Sequence, residues 1–397
     1  MTVKITKPEI NVREELNDLK KPTGIAGEAM LRAETPQEQF NLIGAGRRNL
    51  IINGDMRIAQ RGTSTTGITN NSGFHAVDRV KLFNSGGAGP TYTASQENDG
   101  PAEFTNSYKV QTTTADTSLP AAHYTILRLG LIEGQDLLGL AWGTPYAKAL
   151  TLSFWVKSNK TGSQTILAAT HDSMQQQNKQ AFTIDTANTW EKKEITFAGN
   201  TATAMTDSIT MGLTIDILVA AGSSYQGGTA PLGVWGARTA ADKAVDTLNI
   251  ASSTADYFQI TGVQLETGKV ATPFEHRSYG EELALCQRYY YRLNVRANIA
   301  LMVGNSLNTT NAYYTLALPQ PLRATPSVSQ SDFVNYRQRG GGVNVTSTVT
   351  LGTPHYYLGN SILEIDASVS SGLPNTIQTM VYSSTGNDGY IEVNAEL

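Results

Sequence analysis

The chain has 397 residues, enough for two or three domains, and it carries 30 basic and 34 acidic side chains. A formal net charge of −4 does not favour nucleic acid or an anionic membrane as the main partner. The single cysteine, Cys286, excludes an intrachain disulfide, and there is no long apolar stretch or secretory signal. We therefore expect no nucleic-acid partner, no membrane insertion, and synthesis in the cytoplasm.

Residues 1–48 predict a short helical segment that differs from the rest of the chain. Asn11 and Glu14 have the spacing of a capping box, and Pro22 stops the helix that they begin. Three apolar residues follow at helical spacing: Val12, Leu16 and Leu19. So short a helix needs a partner surface. We interpret the segment as a docking anchor for a larger assembly, and a helical hairpin packed on its own domain is the alternative.

Residues 49–277 read as a run of short strands with turn signals between them. The Asn53-Gly54 pair predicts a turn between two apolar strands at the start of this region. Residues 150–158, "LTLSFWVKS", alternate apolar and polar side chains, and similar strands are predicted within 189–199, 207–219 and 256–268. About ten such strands favour a two-layer antiparallel sandwich of the jelly-roll type.

Residues 278–292 predict a linking helix. Ser278 and Glu281 form a capping box, so the helix is expected from about 279 to 289. Leu283, Cys286 and Tyr290 would form its apolar face. Beyond it, residues 293–397 contain further strand patterns and no lysine, which predicts a small C-terminal β-sandwich, here called the tip. The fold class is therefore mainly all-β with few helices.

No pattern in the sequence predicts catalysis, a metal site or a cofactor. Glu364 and Asp366 share one strand face, which could set two carboxylates close together, but a solvated strand edge explains them. The five histidines have no metal-ligand spacing. Cys286 lies on the apolar helix face, where a buried structural thiol is expected. We therefore predict that the chain is not an enzyme.

Tyrosines of the tip are the candidate binding residues. A tyrosine ring offers an apolar face for stacking under a sugar and a hydroxyl for hydrogen bonding. Three of them lie near strand ends or turns and are predicted to contact carbohydrate: Tyr313, Tyr336 and Tyr356. The four tryptophans are expected to pack in the core or between subunits.

Several segments of the sequence resemble fibre proteins of tailed bacteriophages, particularly phages of marine and freshwater bacteria. The clearest are "RRNLIINGDMRIAQRGTS" (47–64), "LTLSFWVKS" (150–158) and "GVQLETGKVATPFEHRSYGEELALCQRYYYR" (262–292). The segments 7–49 and 316–329 are also similar to such fibres. The middle region is similar, more weakly, to jelly-roll carbohydrate-binding modules, in which an early and a late strand pair.

The resemblance implies a homotrimeric virion fibre, most often a tail fibre, made in the host cytoplasm and acting outside the cell. It would attach to another virion protein through residues 1–48 and bind a host cell-surface glycan through its distal part. A head fibre or capsid decoration protein, or a carbohydrate-binding module of a non-phage system, are the alternatives. A calcium ion is frequent in similar jelly rolls and could involve Asp55, but one carboxylate does not make a site, and no metal is predicted.

Overall fold

The computed structural model describes most of the chain from Arg48 onward. The described residues are 48–171, 175–296, 300–331, 334–338, 344–345, 350–355, 361–369, 373, 378–383 and 389–397. They form a mainly β structure of antiparallel sheets packed in layers, with few helices, which confirms the predicted fold class. No helix in this part of the chain has the length and hydropathy required to cross a bilayer.

Two antiparallel sheets form a large sandwich, and the strands are numbered in chain order. The six strands of the first sheet are β1 (Ser64–Ile68), β4 (Thr91–Glu97), β5 (Ser107–Thr114), β7 (Leu150–Ser158), β10 (Glu191–Phe197) and β13 (Tyr257–Thr267). The seven strands of the second are β2 (Asn71–Phe74), β3 (Lys81–Ser85), β6 (Tyr124–Glu133), β8 (Gly162–Thr170), β9 (Gln176–Ile184), β11 (Met211–Ala221) and β12 (Trp235–Ala237). Their spatial orders are β1-β4-β5-β13-β7-β10 and β12-β9-β8-β11-β6-β3-β2.

The core of the sandwich lies between these sheets and is built by alternation along the strands. On β7 the predicted inward residues are all fully buried: Leu150, Leu152, Phe154 and Val156. The ring of Phe154 meets that of Phe182 on the opposite sheet edge-on, with centroids 5.1 Å apart. Burying each such side chain contributes about 1.5–3 kcal/mol, so this alternation sets which face of β7 points inward.

The segment from Asn49 to Gly62 contains no strand, in contrast to the predicted hairpin. Asn53 has a φ of 60° and Met56 a φ of 58°, and these left-handed residues prevent an extended chain. The amide of Asn53 instead donates to the carbonyl oxygens of Ile58 and Asp78 at 2.9 Å each. The segment still runs beside the late strand β13, where the Leu50 N–H donates to the Leu265 carbonyl at 2.8 Å.

Three short 3-10 helices and one α-helix occur in the described residues. The 3-10 helices are Gly134–Leu140, Ser223–Tyr225 and Ile250–Ser252, and α1 is Tyr279–Gln287. The predicted capping box is present, because Ser278 Oγ accepts from the Glu281 N–H at 3.3 Å and the Glu281 carboxylate accepts from the Ser278 N–H at 3.0 Å. The helix ends two residues earlier than expected, and Tyr290 begins the next strand instead of extending the helix face.

Helix α1 packs on the sandwich through buried polar contacts. Glu282 is 5% exposed and accepts from the Asn53 N–H at 2.5 Å and from Arg277 at 3.2 Å. Burial raises the pKa of Glu282. Cys286 is fully buried, and burial raises the pKa of its thiol. The helix is therefore attached to the Asn49–Gly62 segment as well as to the strand that follows it.

The end of β6 is linked to the residues after α1 by a buried carboxylate. Glu133 is fully buried and accepts from the Tyr289 hydroxyl at 2.6 Å and from Arg288 Nη2 at 3.0 Å. A charge in this position is favourable only when it is paired and hydrogen-bonded. The hydrogen bonds of Glu133 therefore connect the sandwich to the start of the tip.

A second link joins the sandwich to the last residues of the chain. Glu396 accepts from Arg61 at 3.2 Å and also pairs with Arg79, which is 2% exposed. The guanidinium groups of these arginines lie over the rings of Tyr290 and Tyr289, at 3.4 and 3.5 Å from the centroids. Charged side chains and tyrosine rings from both ends of the described chain therefore lie in one cluster.

The tip consists of a three-stranded and a seven-stranded sheet with a buried cluster of its own, distinct from the sandwich core. The three strands are β14 (Tyr290–Val295), β17 (Ser327–Gln330) and β23 (Gly389–Asn394), in the order β14-β23-β17. The seven are β15 (Ala300–Ser306), β16 (Asn311–Ala317), β18 (Val334–Gln338), β19 (Asn344–Val345), β20 (Thr350–His355), β21 (Ile362–Ser368) and β22 (Gln378–Ser383). Their order is β19-β18-β22-β15-β16-β21-β20.

Candidate functional site

The outer face of the seven-stranded sandwich sheet carries a cleft in which aromatic and charged side chains converge. Because successive side chains of a strand point to opposite faces, β6 sends Leu127 and Leu129 into the core and Arg128 outward. The cleft has a volume of about 130 Å³. The residues that line it are Phe83, Tyr124, Ile126, Arg128, Leu167, Ala169, Gln177, Asp216, Arg238 and Lys243.

A bidentate ion pair forms the floor of the cleft. Arg128 Nε and Nη2 donate to the two carboxylate oxygens of Asp216 at 2.7 and 2.8 Å, and the two residues are 8% and 2% exposed. Burial opposes the charge of Arg128, but the adjacent Asp216 carboxylate outweighs it and raises the Arg128 pKa. The guanidinium also lies 4.6 Å from the centroid of the Phe83 ring, so it contacts both a carboxylate and an aromatic ring.

Tyr124 lines the cleft, and Tyr225 packs against it from outside the lining. The rings of Tyr124 on β6 and Tyr225 meet edge-on, with centroids 4.9 Å apart. Tyr225 belongs to the 3-10 helix after β11, and its carbonyl accepts from the Ala244 N–H at 2.9 Å. Lys243 Nζ lies 5.3 and 5.0 Å from the centroids of the Tyr124 and Tyr225 rings. The loop between β11 and β13 thus brings an aromatic and a cation to the sheet.

Arg238, another residue that lines the cleft, donates to a neutral histidine. Arg238 Nη1 donates to His171 Nδ1 at 3.4 Å, and since arginine carries only donors, Nδ1 is the acceptor. The proton of the neutral ring therefore lies on Nε2, which donates to Thr214 Oγ1 at 3.0 Å. Burial, followed by the charges of Arg128 and Arg238, lowers the His171 pKa to about 4. The ring is uncharged at neutral pH.

Positive charge exceeds negative charge in this cleft. Arg128, Arg238 and Lys243 line it, whereas Asp216 is the only acidic lining residue in the described part of the chain. Burial and then the neighbouring Arg238 lower the pKa of Lys243, and burial lowers that of Arg238. The cleft therefore differs in sign from the whole chain, whose formal net charge is −4. Aromatic faces beside fixed donors are the elements from which small polar-ligand sites are built.

Of the tip tyrosines predicted as carbohydrate contacts, Tyr313 has a described side chain. It is 38% exposed and lies on the solvent face of the seven-stranded tip sheet, whereas its neighbour Tyr314 is fully buried. Asn305 and Asp366 are its cross-strand partners in the ladder. Tyr313 therefore lies among polar side chains on an open sheet face, which is compatible with the predicted contact but does not form a cleft.

Of the other predicted contact and docking residues, the structure describes only the backbone of Tyr336. The backbone of Tyr336 lies on β18, paired with Val381 on β22, and its side chain is outside the described part. Tyr356 and the docking residues of the N-terminal segment also lie outside the described residues: Val12, Leu16 and Leu19. Their roles as carbohydrate-binding and partner-docking residues stay predictions.

Asp55 lines a separate cleft of about 460 Å³ together with Glu103 and the segment 104–106. Its carboxylate pairs with Arg57 at 2.5 Å. Within the described residues, no group of three histidine, cysteine, aspartate or glutamate side chains is arranged to hold a metal ion. The carboxylates of Glu364 and Asp366 lie on the open face of β21, on the strand face expected from their spacing.

Sequence reasoning missed the residues of the sandwich cleft. They come from strands β3, β6, β8, β9 and β11 and from one loop, so their proximity depends on a strand order that no local pattern reveals. One signal was available in "YTILRLGLIE", where Arg128 interrupts an apolar strand (β6). A buried arginine in a strand requires a counter-ion, and "GLTIDILV" on β11 supplies Asp216 in the same kind of position.

No protein-family model matches the chain, and no curated protein is similar to it in sequence. Among solved structures, the chain is similar to a putative sugar binding protein from Bacteroides thetaiotaomicron, with 12% identity over 55% of this chain and 100% of that one, and a TM-score of 0.29. It is also similar to a family 11 carbohydrate-binding module from Clostridium thermocellum in complex with a beta-1,3-1,4-mixed-linked tetrasaccharide, with 12% identity over 53% and 99% of the two chains, and a TM-score of 0.28.

The enzymatically active domain of tailspike protein 4 from bacteriophage CBA120 is a third similar structure, with 13% identity and a TM-score of 0.28. The match covers 51% of this chain and 21% of that one, so the chain spans about a fifth of the tailspike structure. Matches with TM-scores this low assign neither a family nor a ligand to this chain.

Proposed function

We propose that the chain is a virion fibre protein of a tailed bacteriophage, a tail fibre, that binds a glycan on the host cell surface. The observation that carries the glycan part is the cleft of the seven-stranded sandwich sheet, where Tyr124, Tyr225 and Phe83 stand beside fixed charged groups. The fibre part rests on the sequence resemblance of residues 47–64, 150–158 and 262–292 to phage fibres.

The chemistry of the cleft suits a sugar better than an apolar ligand. Tyrosine rings offer flat apolar faces to the carbon-bound hydrogens of a pyranose, and their hydroxyls offer hydrogen bonds to its rim. The guanidinium of Arg128 and the amide of Gln177, both buried, supply donors at fixed positions. A volume of about 130 Å³ is well below the ~300–1,000 Å³ of sites for drug-sized ligands, so the cleft would hold one sugar residue of a longer chain.

The remaining parts of the proposal follow the sequence. The N-terminal segment, residues 1–48, attaches the fibre to another virion protein, and the assembled fibre is a homotrimer located in the virion. The chain binds its receptor and does not cleave it. The tip residues Tyr313, Tyr336 and Tyr356 form a second contact region with the same glycan surface.

Glycan binding is tested with tyrosine variants of the full-length chain. Tyr124→Ala is expected to weaken binding to surface polysaccharide from susceptible cells at least tenfold, because it removes a ring that lines the cleft. Tyr225→Ala is expected to have a similar effect, because it removes the ring that packs edge-on against Tyr124. Tyr146→Ala is the matched control, since Tyr146 is 84% exposed and lies outside the cleft. Surface plasmon resonance gives the dissociation constants. Unchanged binding by both cleft variants, with loss in Tyr313→Ala, would move the main site to the tip.

The fibre assignment has its own test. Antibodies raised against the tip should label purified phage particles at the tail in negative-stain electron microscopy. Pre-incubation of phage with these antibodies should reduce adsorption to host cells. Label on the capsid would instead identify a head fibre or decoration protein, and absence of the chain from washed particles would overturn a virion role.

A further inference from the structure

The sandwich cleft is lined by more cationic groups than carboxylates, and its aromatic rings do not explain this excess. Asp216 is fully engaged, since both of its carboxylate oxygens accept from Arg128. Arg238 donates only to neutral acceptors in the described residues, the His171 ring at 3.4 Å and the Thr170 carbonyl at 3.5 Å. Lys243 has ring contacts with Tyr124 and Tyr225 but no carboxylate within ion-pair distance among the described residues.

These two cations are held where a ligand can reach them. Arg238 and Lys243 are each half-buried, and they reach the cleft from the loop between β11 and β13, above the sheet floor. Two neighbouring positive groups that are partly removed from water, with no carboxylate within ion-pair distance in the described residues, are costly to keep together, and the more distant Asp216 carboxylate offsets only part of that cost. An anion bound between them would relieve that cost, and a guanidinium is well shaped to bind a carboxylate through two parallel hydrogen bonds.

The position of the cations relative to the rings restricts the type of anion. The Lys243 ammonium lies about as far from the Tyr124 ring centroid, at 5.3 Å, as from that of Tyr225, at 5.0 Å. A ligand that stacks on either tyrosine therefore presents its edge to Lys243. A sugar has its substituents on that edge, so a charged substituent of the ring, and not a free small anion, satisfies both features at once.

We propose, on the basis of the glycan-binding function above, that the cleft selects an acidic saccharide whose ring carboxylate binds between Arg238 and Lys243. The tyrosines hold the ring face, and the Arg128–Asp216 pair below them keeps the floor rigid and electrically neutral. Selectivity for the acidic sugar over its neutral counterpart comes from the loop cations.

The test compares paired oligosaccharides on the full-length protein. A panel of uronic-acid oligosaccharides is printed beside the same oligosaccharides after reduction of each carboxylate to a hydroxymethyl group. At least one acidic member should bind at least tenfold more tightly than its reduced partner, and high salt should reduce this preference. Arg238→Gln and Lys243→Gln should each remove most of the preference, while Lys269→Gln, an exposed lysine after β13, should retain it.

The outcomes separate this inference from the function on which it rests. If reduced and acidic partners bind equally and Tyr124→Ala abolishes both, glycan binding stands and selection for acid is overturned. If acidic members bind equally to wild type and to both loop variants, the carboxylate does not lie between these cations and the inference fails. If no member binds and host polysaccharide binding is insensitive to Tyr124→Ala, the cleft function itself fails. Thermal unfolding of each variant verifies that the chain is folded.

Discussion

His171 links the protonation state of one ring to the stability of the sandwich. Its Nδ1 accepts from Arg238 and its Nε2 donates to Thr214, which requires the neutral tautomer. Burial, and then Arg128 and Arg238, lower its pKa to about 4 from the usual histidine value of 6.5. The folded state therefore disfavours protonation of His171. The free energy of unfolding is fully present above the pKa of the unfolded chain, and part of it is lost as the pH falls from that pKa through the folded-state pKa.

The first prediction is therefore a pH-dependent stability difference between wild type and His171→Gln. Glutamine can accept from Arg238 and donate to Thr214 but does not titrate. Between pH 7.5 and pH 4 the wild type should lose about 3 kcal/mol more unfolding free energy than the variant. Urea unfolding at the two pH values measures the difference. Parallel pH profiles would show that the ring already titrates normally in the folded protein.

Single residues were predictable from sequence where the cause is local. The inward set on β7 follows from alternation, and the Ser278–Glu281 capping box from its spacing. The sequence predicts a hairpin turn at Asn53, because an Asn-Gly pair is typical of such a turn as well as of the isolated left-handed conformation that Asn53 has here. The two conformations differ in the partner of the Asn53 N–H, which here donates to the carboxylate of Glu282, more than two hundred residues away. Local propensity carries no information about such a partner.

At the scale of elements, helix α1 and strand β14 are attached to the end of β6 through Glu133. The Tyr289 hydroxyl donates to Glu133 at 2.6 Å from a side chain that is 2% exposed. A hydrogen bond to a buried charged acceptor is stronger than one between neutral groups. The contact therefore contributes to the attachment between the sandwich and the tip as well as to local order.

The second prediction is that Tyr289→Phe destabilises the chain by about 2 kcal/mol, since it removes one donor from a buried carboxylate and leaves the packing unchanged. Tyr279→Phe, at the start of α1, is the matched control, because Tyr279 is 54% exposed, and its effect should be within about 0.5 kcal/mol. Denaturant unfolding of both variants provides the comparison. Equal effects would mean that the Glu133 link does not carry stability.

Elements were predictable in type but not in arrangement. The strands β7, β10 and β13 fall within predicted runs because their periodicity is strong, and β11 extends two residues beyond its run. The sandwich cleft could not be predicted, since its residues become neighbours only when β8, β11 and β6 lie side by side, and that order depends on pairing across the whole sandwich. The loop that supplies Arg238 and Lys243 has no regular period from which its position could be read.

At the scale of the whole molecule, self-association is expected from the resemblance to homotrimeric fibres and from the N-terminal apolar stripe. The apolar face predicted for residues 278–292 does not add to this expectation, because Cys286 and Tyr290 are 0% and 2% exposed within a single chain. The stripe is formed by Val12, Leu16 and Leu19. Threefold symmetry would bring three copies of that stripe together as a coiled-coil seam.

The third prediction is that the full-length chain is a trimer in solution and that Leu16→Asp combined with Leu19→Asp converts it to a monomer. Burial of added charge in an apolar seam is strongly unfavourable. Asn17→Asp, which adds charge beside the stripe, should leave the trimer intact. Light scattering coupled to size-exclusion chromatography gives the mass of each. A monomeric wild-type chain at micromolar concentration would rule out self-association by this stripe.

The pairing of Glu396 with Arg79 spans 317 residues of sequence and places a limit on when the protein can finish folding. A ribosome adding about 5–20 residues per second needs roughly 15–60 s to go from one partner to the other. Throughout that interval Arg79, which is 2% exposed in the folded chain, lacks the carboxylate with which it pairs there. The guanidinium of Arg79 therefore reaches its final environment only after Glu396 has been translated.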